Sequence, residues 1–200
     1  MMDVVLVDAG GANIGSVCYA LERLGVSARL SADAAVITAA DRVILPGVGA
    51  APIAMQRLRE LGLVEVVRGL TQPLLGICLG MQLLFDSSDE GDVECLGLLP
   101  GRVTRLQSQL GLRVPHMGWH GLRRRRDDPL LTGIGDGEAA YFVHSFAAPV
   151  TVDTIAHCTH GVEFAAVVRR GHCNGAQFHP ERSGAAGARL LENFLSDTRA

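Results

Sequence analysis

Leu74-Leu75-Gly76-Ile77-Cys78-Leu79-Gly80-Met81-Gln82 is an apolar run that ends in Gly-x-Cys-x-Gly. It reads as a buried strand over residues 73–77 turning directly into a helix over 78–85. Glycines on either side of Ile77-Cys78-Leu79 remove the Cβ atoms that so sharp a turn would bring into collision. The turn lifts the Cys78 side chain above the sheet edge. It also sets the sulfur near a helix N-terminus, where unpaired N–H groups and the dipole favour a thiolate. The N–H of Leu79 then aims at the position of a tetrahedral oxyanion. A small buried thiol between two packing glycines fits the same spacing, so this run alone leaves both readings open.

Upstream, short apolar runs alternate with amphipathic segments. Val4–Val7, residues 29–30 and Arg42–Leu45 read as strands. Residues 14–24 and 52–68 read as helices. Leucine-rich and β-branched strands separated by helices predict a parallel sheet covered on both faces. Downstream, residues 102–106, 113–116, 140–144, 152–160, 164–169 and 172–178 read as short strands with glycine punctuation, and 185–195 as a closing helix. The fold class is therefore α/β: an open, mostly parallel sheet flanked by helices, with an added antiparallel β portion in the C-terminal half. Residues 1–200 read as a single domain.

The segment Gln177-Phe178-His179-Pro180-Glu181 follows one of these strands. Pro180 disfavours the helical region for His179 and keeps it extended. Residues two apart in an extended chain share a face, so the Glu181 carboxylate lies beside the His179 imidazole, where it fixes the tautomer and stabilises the charged form. In isolation His-Pro-Glu reads as a loop with an exposed ion pair. Joined to the Cys78 turn, it completes the set needed for acyl transfer through a thioester.

The bulk numbers agree with an ordinary globular enzyme. Hydrophobic residues make up 48% and charged residues 20% of the 200 residues, and the net charge of −3 offers no basic field for nucleic acid or an anionic membrane. All 18 basic residues are Arg, which excludes Schiff-base and P-loop lysine chemistry. The five cysteines are odd in number and irregular in spacing. The N-terminal apolar run is too short for a signal peptide, and no stretch reaches the length of a bilayer span. Free thiols in a reducing cytoplasm are the expectation.

Together these residues resemble the class I (triad) glutamine amidotransferases, in which Cys, His and Glu hydrolyse the side-chain amide of glutamine. The resemblance runs through nearly the whole chain. It implies the catalytic set Cys78, His179 and Glu181. Leu45-Pro46-Gly47-Val48-Gly49 looks like the family's oxyanion strand, with an N–H near Val48 or Gly49 joining that of Leu79. Val114-Pro115-His116-Met117-Gly118-Trp119 and Tyr141-Phe142-Val143-His144-Ser145-Phe146 resemble the branch that serves imidazole glycerol phosphate synthase. That branch pairs as a heterodimer with a (βα)₈-barrel cyclase in histidine biosynthesis. By the same resemblance Gln82 and Glu90 contact the amino-acid end of glutamine, and backbone at His144 and Ser145 holds its carboxylate. Asn13, Trp119, Tyr141 and Arg182 match positions that face the cyclase; apart from the resemblance, Pro115 and Gly118 near Trp119 read as a loop. Three departures sit on that partner face: Gly-Gly-Ala-Asn at 10–13, His120 in place of Asn, and Arg182 in place of Lys.

Weaker signals have plainer readings. Residues 8–15 faintly resemble a dinucleotide loop with Asp33 at a tolerable distance, but the Cβ of Ala12 would crowd a pyrophosphate. His157, Cys158, His160, His172 and Cys173 match no established zinc spacing. The Arg123–Arg126 run, followed by Asp127 and Asp128, reads as a solvated surface loop. Neither a cofactor nor a metal is expected. The alternatives are the glutaminase of an anthranilate- or aminodeoxychorismate-type synthase, a catalytically silent regulatory scaffold, and a standalone thiol peptidase or hydrolase.

Overall fold

The computed structural model describes residues 2–10, 14–108 and 110–197. Its main sheet begins with β1 (Val4–Val7), flanked in parallel by β2 (Ala28–Ser31) and β3 (Arg42–Leu45). β4 (Leu74–Ile77) continues the parallel set beside β3. The period-two alternation of a strand explains why β1 is apolar at every position. Val4 and Leu6 pack on one face, with Val17 and Leu21 of α1 (Ile14–Arg23) and with Leu190, Leu191 and Phe194 of the C-terminal helix. Val5 and Val7 pack on the other, with Ile37 of α2 (Ala34–Ala39), Met55 and Leu58 of α3 (Ala51–Glu60), and Leu63 and Val67 of α4 (Leu63–Arg68).

Two expected helices end early. Gly62, in the left-handed region at φ 66°, separates α3 from α4, so 52–68 is two helices rather than one. After β4 the turn enters α5 (Leu79–Leu83), which is only five residues long. The chain then leaves as β5 (Phe85–Ser88), because Phe85 is buried in the same core as Leu83 and Leu84 while its strand pairs with β7 (Leu99–Arg105). β6 (Val93–Glu94) and β11 (Phe146–Ala147) complete this four-stranded sheet.

The antiparallel portion takes two forms. β8 (His116–Gly121) and β10 (Ala139–His144) make a two-stranded sheet of their own. The strand expected at 113–116 starts at His116 instead, since Pro115 has no N–H to give to a ladder. β12 (Thr154–His160), β13 (Val162–Arg170) and β14 (Cys173–Ala176) extend the main sheet, β14 lying parallel to β4. The outermost strand is β9 (Arg123–Arg124), so the arginine run is partly a sheet edge and not a loop. Arg123 pairs with Asp136, Arg124 with Asp127 and Arg125 with Glu163, while Arg126 donates to Val152 O. α6 (Gly184–Ser196) closes the chain. None of the described helices is long and apolar enough to cross a membrane.

Candidate active site

The junction of β4 and α5 carries Cys78 at φ 52°, ψ −109°. A non-glycine residue there costs about 1–3 kcal/mol and persists only where its surroundings over-determine it. Here they do. A Cβ on Gly80 would lie 1.8 Å from Leu45 O, and one on Gly76 would lie 2.6 Å from Met81 N. Both glycines are therefore required by backbone approach. The Cys78 N–H is held by Ala176 O at 2.7 Å, which ties the turn to β14. α5 is too short for a full helix dipole; the side chains that touch the sulfur do more to define it.

β14 leads straight to those side chains. The N–H of His179 donates to Tyr141 O at 3.0 Å, and Ser183 Oγ donates to His179 O at 2.7 Å while accepting from Tyr141 N at 2.9 Å. This closed ring of bonds fixes the backbone of His179 to β10. Its side chain is bonded through Nδ1 to Glu181 Oε1 at 2.8 Å, so the carboxylate is beside the imidazole, but it is brought there by a 3₁₀ turn over Pro180–Arg182 that follows an extended His179, not by the extended chain expected. Burial disfavours the imidazolium, but hydrogen bonding to Cys78 and Glu181 and their charges outweigh it and raise the His179 pKa to about 10. The ring is therefore a proton donor throughout the neutral range.

Cys78 and His179 line a cavity of about 330 Å³. Val48, Gly49 and Leu79 line it too, as do Gln82, Glu90, His144 and Ser145. Glu181 stands behind the imidazole, fully buried in its side chain. The two glycines of the segment expected to complete an oxyanion site differ in character. A Cβ on Gly47 would lie 2.6 Å from Gly80 N, whereas Gly49, at φ 102°, has open space around it. Gly47 thus anchors the strand to the elbow and Gly49 leaves it room to rotate.

Two of the residues expected to meet substrate carry internal duties that the sequence did not announce. Glu90 Oε2 accepts from Ala51 N at 2.8 Å and so caps α3 from a distant loop. The His144 ring bonds Phe146 O through Nδ1 at 2.8 Å, and the residue, 7% exposed, also lines the cavity. Sequence reasoning also passed over Gln177, fully buried, and Ser183; both flank the His-Pro-Glu segment, and that proximity was the available signal.

The proposed partner residues form an array on an adjacent face. Trp119 sits in β8, not in a loop, directly opposite Tyr141 in the β8–β10 ladder. Their rings meet edge to face at 5.9 Å, and the Arg182 guanidinium lies 5.4 Å from the Tyr141 centroid. Trp119 is 55% and Met117 61% exposed. Asn13 lies outside the described residues, as do Gly11 and Ala12. Asp33, weighed as a ribose ligand, instead caps α2 by accepting from Ala35 N and Val36 N. Among the described residues no group of three or more His, Cys, Asp or Glu side chains has the geometry to hold a metal ion.

Comparison with known proteins gives this geometry a family. The family described as glutamine amidotransferase class-I matches residues 5–198. The chain is 65% identical to the imidazole glycerol phosphate synthase subunit HisH of Xanthomonas axonopodis pv. citri, over 98% of each chain. It is 60% identical to the protein of the same description from Xylella fastidiosa, again over 98% of each. Among solved structures, a glutamine amidotransferase aligns with a TM-score of 0.74 at 22% identity over 96% of each chain. A glutamine amidotransferase from Thermotoga maritima aligns with a TM-score of 0.64 at 17% identity, covering 96% of this chain and 82% of that one. These two structural likenesses carry the fold alone.

Proposed function

The chain belongs to the class-I glutamine amidotransferase family, and from that membership we propose that it is the glutaminase subunit of an imidazole glycerol phosphate synthase. It hydrolyses glutamine to glutamate and ammonia and delivers the ammonia to a (βα)₈-barrel cyclase in histidine biosynthesis. The observation that carries this reading is the meeting of Cys78 and His179 at one cavity, with Glu181 bonded behind the imidazole, in a chain 65% identical to a HisH protein over nearly its full length. Residues 1–200 act as one glutaminase domain. The reading assigns it to the cytoplasm, where a thiol such as Cys78 stays reduced.

Catalysis begins as the Cys78 thiolate attacks the carboxamide carbon, and the oxyanion forms against N–H groups of Leu79 and of the Val48–Gly49 segment. The C–N bond breaks as His179 gives its proton to the leaving nitrogen, releasing ammonia and a glutamyl thioester. His179, now neutral, takes a proton from water; the resulting hydroxide adds to the thioester, and glutamate departs as the thiolate is restored. Glu181 holds the imidazole by Nδ1 and stabilises its charged form. Gln82, Glu90 and the backbone of His144 and Ser145 take the amino-acid end of glutamine. Trp119, Tyr141, Arg182 and Asn13 face the cyclase. Docking there rotates the oxyanion strand about Gly49 and switches the glutaminase on.

Incubation with an electrophilic glutamine analogue followed by peptide mass spectrometry tests the core of this reading. Label on Cys78, absent from Cys78→Ala, supports it; an unlabelled Cys78 both with and without the cyclase defeats it. A glutaminase assay with and without the cyclase and its nucleotide substrate tests the coupling, which fails if the free glutaminase turns over as fast as the complex.

A further inference from the structure

A chain of buried amides ends on the sulfur. Gln177 Nε2 donates to Cys78 Sγ at 3.8 Å, and Gln177 Oε1 accepts from Gln82 Nε2 at 2.9 Å. The second proton of Gln82 Nε2 goes to Phe146 O at 2.7 Å. A backbone carbonyl only accepts, so the Gln82 amide has one permitted orientation. That in turn permits only one for Gln177: oxygen toward Gln82, NH₂ toward the sulfur. The Phe146 carbonyl also fixes the tautomer of His144, whose Nδ1 must carry the proton. His144 Nε2 is then an acceptor for His116 Nδ1 at 3.1 Å. Burial, only partly offset by the bond to Phe146, lowers His144 to about 4, and burial followed by neighbouring imidazoles lowers His116 to about 3, so both rings stay neutral and the pattern of donors persists at neutral pH. Gln82 and Gln177 are 4% and 0% exposed, and the two bonds from Gln82 Nε2 leave this buried amide pair little freedom to reorient.

We propose that Gln177 is a positioning residue for the nucleophile: its locked amide fixes the Cys78 side chain in line with the carboxamide and stabilises the sulfur as thiolate. The inference rests on the reading of Cys78 as nucleophile. His179 also faces the sulfur, but it must give up its proton and regain it in every turnover. An amide does not titrate, so Gln177 offers the sulfur a constant donor at each point where the thiolate reappears. It also joins the two ends of the site. With both Nε2 protons of Gln82 engaged internally, only Gln82 Oε1 is left to meet the substrate, and an acceptor suits an α-ammonium group. The amide that meets glutamine is thus bonded to the amide that meets the sulfur.

The test uses the complex with the cyclase and the variants Gln177→Glu and Gln177→Met. The pH profile of Cys78 alkylation by iodoacetamide is measured beside kcat and KM for glutamine. Titratable groups facing the cavity beside Cys78 are His179, His144 and Glu90, and all three are retained in each variant, so a change in the profile of the uncharged Gln177→Met reports the lost donor, and Gln177→Glu shows the added effect of a like charge. Both variants are expected to shift the acid limb of alkylation to higher pH, Gln177→Glu by more because it adds a like charge. Turnover is expected to fall about 10- to 100-fold, in keeping with a lost hydrogen bond to a charged group, while KM moves less than about threefold. Folded variants whose alkylation profile and kcat both stay within about twofold of wild type overturn the proposal. Should neither variant fold, Gln177→Asn keeps the polarity but shortens the reach. The same losses are then expected, and an unchanged profile overturns the proposal equally. Labelling of wild-type Cys78 by the glutamine analogue separates the outcomes. With label present and Gln177 variants unchanged, only this inference falls; with label absent, the nucleophile reading falls first.

Discussion

His179 holds the most perturbed charge in the site, and its direction makes two linked predictions. Its folded pKa of about 10 lies well above the ordinary 6.5. A raised histidine contributes stability that is fully present below its unfolded pKa and is lost as pH rises through the folded value. Relative to His179→Asn, the wild-type melting temperature should therefore fall progressively between pH 6.5 and about 10, as read by differential scanning calorimetry across that window. Glu181→Gln removes the carboxylate that helps set this pKa while keeping the shape. NMR titration of the ring should then place His179 at lower pH than in wild type, and kcat should drop about 10²- to 10⁴-fold, the range associated with oriented general acid–base groups. This residue pair was legible in the sequence because its members are two positions apart, although the route differs: extended backbone ends at His179 and a 3₁₀ turn over Pro180–Arg182 brings the carboxylate back to the ring. Gln177 and Ser183 were not, because their partners, Cys78, Gln82 and Tyr141, are remote in sequence and are brought near only by pairing of β14 with β4 and docking on β10.

Elements meet at the elbow through backbone atoms, and this explains why its glycines are fixed. Gly80→Ala would drive a methyl into Leu45 O, and neither strand β3 nor α5 can retreat without moving the 46–49 segment or Cys78. A cost of at least about 2–3 kcal/mol is expected, measured as a lower urea midpoint, with glutaminase activity lost before the fold is. Gly49→Ala meets no neighbour, but it forces a side chain onto φ 102°. It should lower stability by roughly 1–2 kcal/mol while impairing the partner-stimulated rate more than the resting one. Glu90 sits between two roles. Glu90→Ala strips the cap from α3, which costs about 0.5–2 kcal/mol, and should also raise KM for glutamine. A drop in melting temperature with KM unchanged would leave Glu90 as a cap alone. The strand–elbow–helix element itself was readable from nine residues, but its helix was overestimated. Helical periodicity cannot show that Phe85 gains more from pairing its strand with β7 than from another helical turn. Likewise nothing in 52–68 except Gly62 marked the break, and an isolated glycine inside a helical pattern is an ambiguous stop.

Across the whole molecule, the active cavity and the proposed docking face share β10. The strand carries Tyr141, which anchors His179 through backbone and meets Trp119 and Arg182 through its ring, and it ends at His144 in the buried amide and imidazole chain. That chain has an acid liability. His116 and His144 are depressed groups, so the stability they represent is present above 6.5 and is lost as pH falls toward about 4 and then 3. Acid unfolding should begin below about pH 6, and His116→Gln should blunt it if its amide satisfies His144 without taking up a proton. Docking makes the complementary prediction. Trp119 and Met117 are exposed on a strand whose other side is packed, and an aromatic paired with an arginine-capped tyrosine has the composition of an interface hot spot. Trp119→Ala should leave the melting temperature of the free glutaminase within about 1–2 °C, since a surface change away from the core moves stability little. It should weaken cyclase binding by at least about 2 kcal/mol, close to 30-fold, measured by isothermal titration calorimetry. Trp119 is also the sole tryptophan, so the same titration followed by fluorescence reads that side chain alone. An emission spectrum unchanged on saturation with cyclase would put the docking surface elsewhere, whatever the calorimetry gave, because burying an indole that is more than half exposed must change its surroundings.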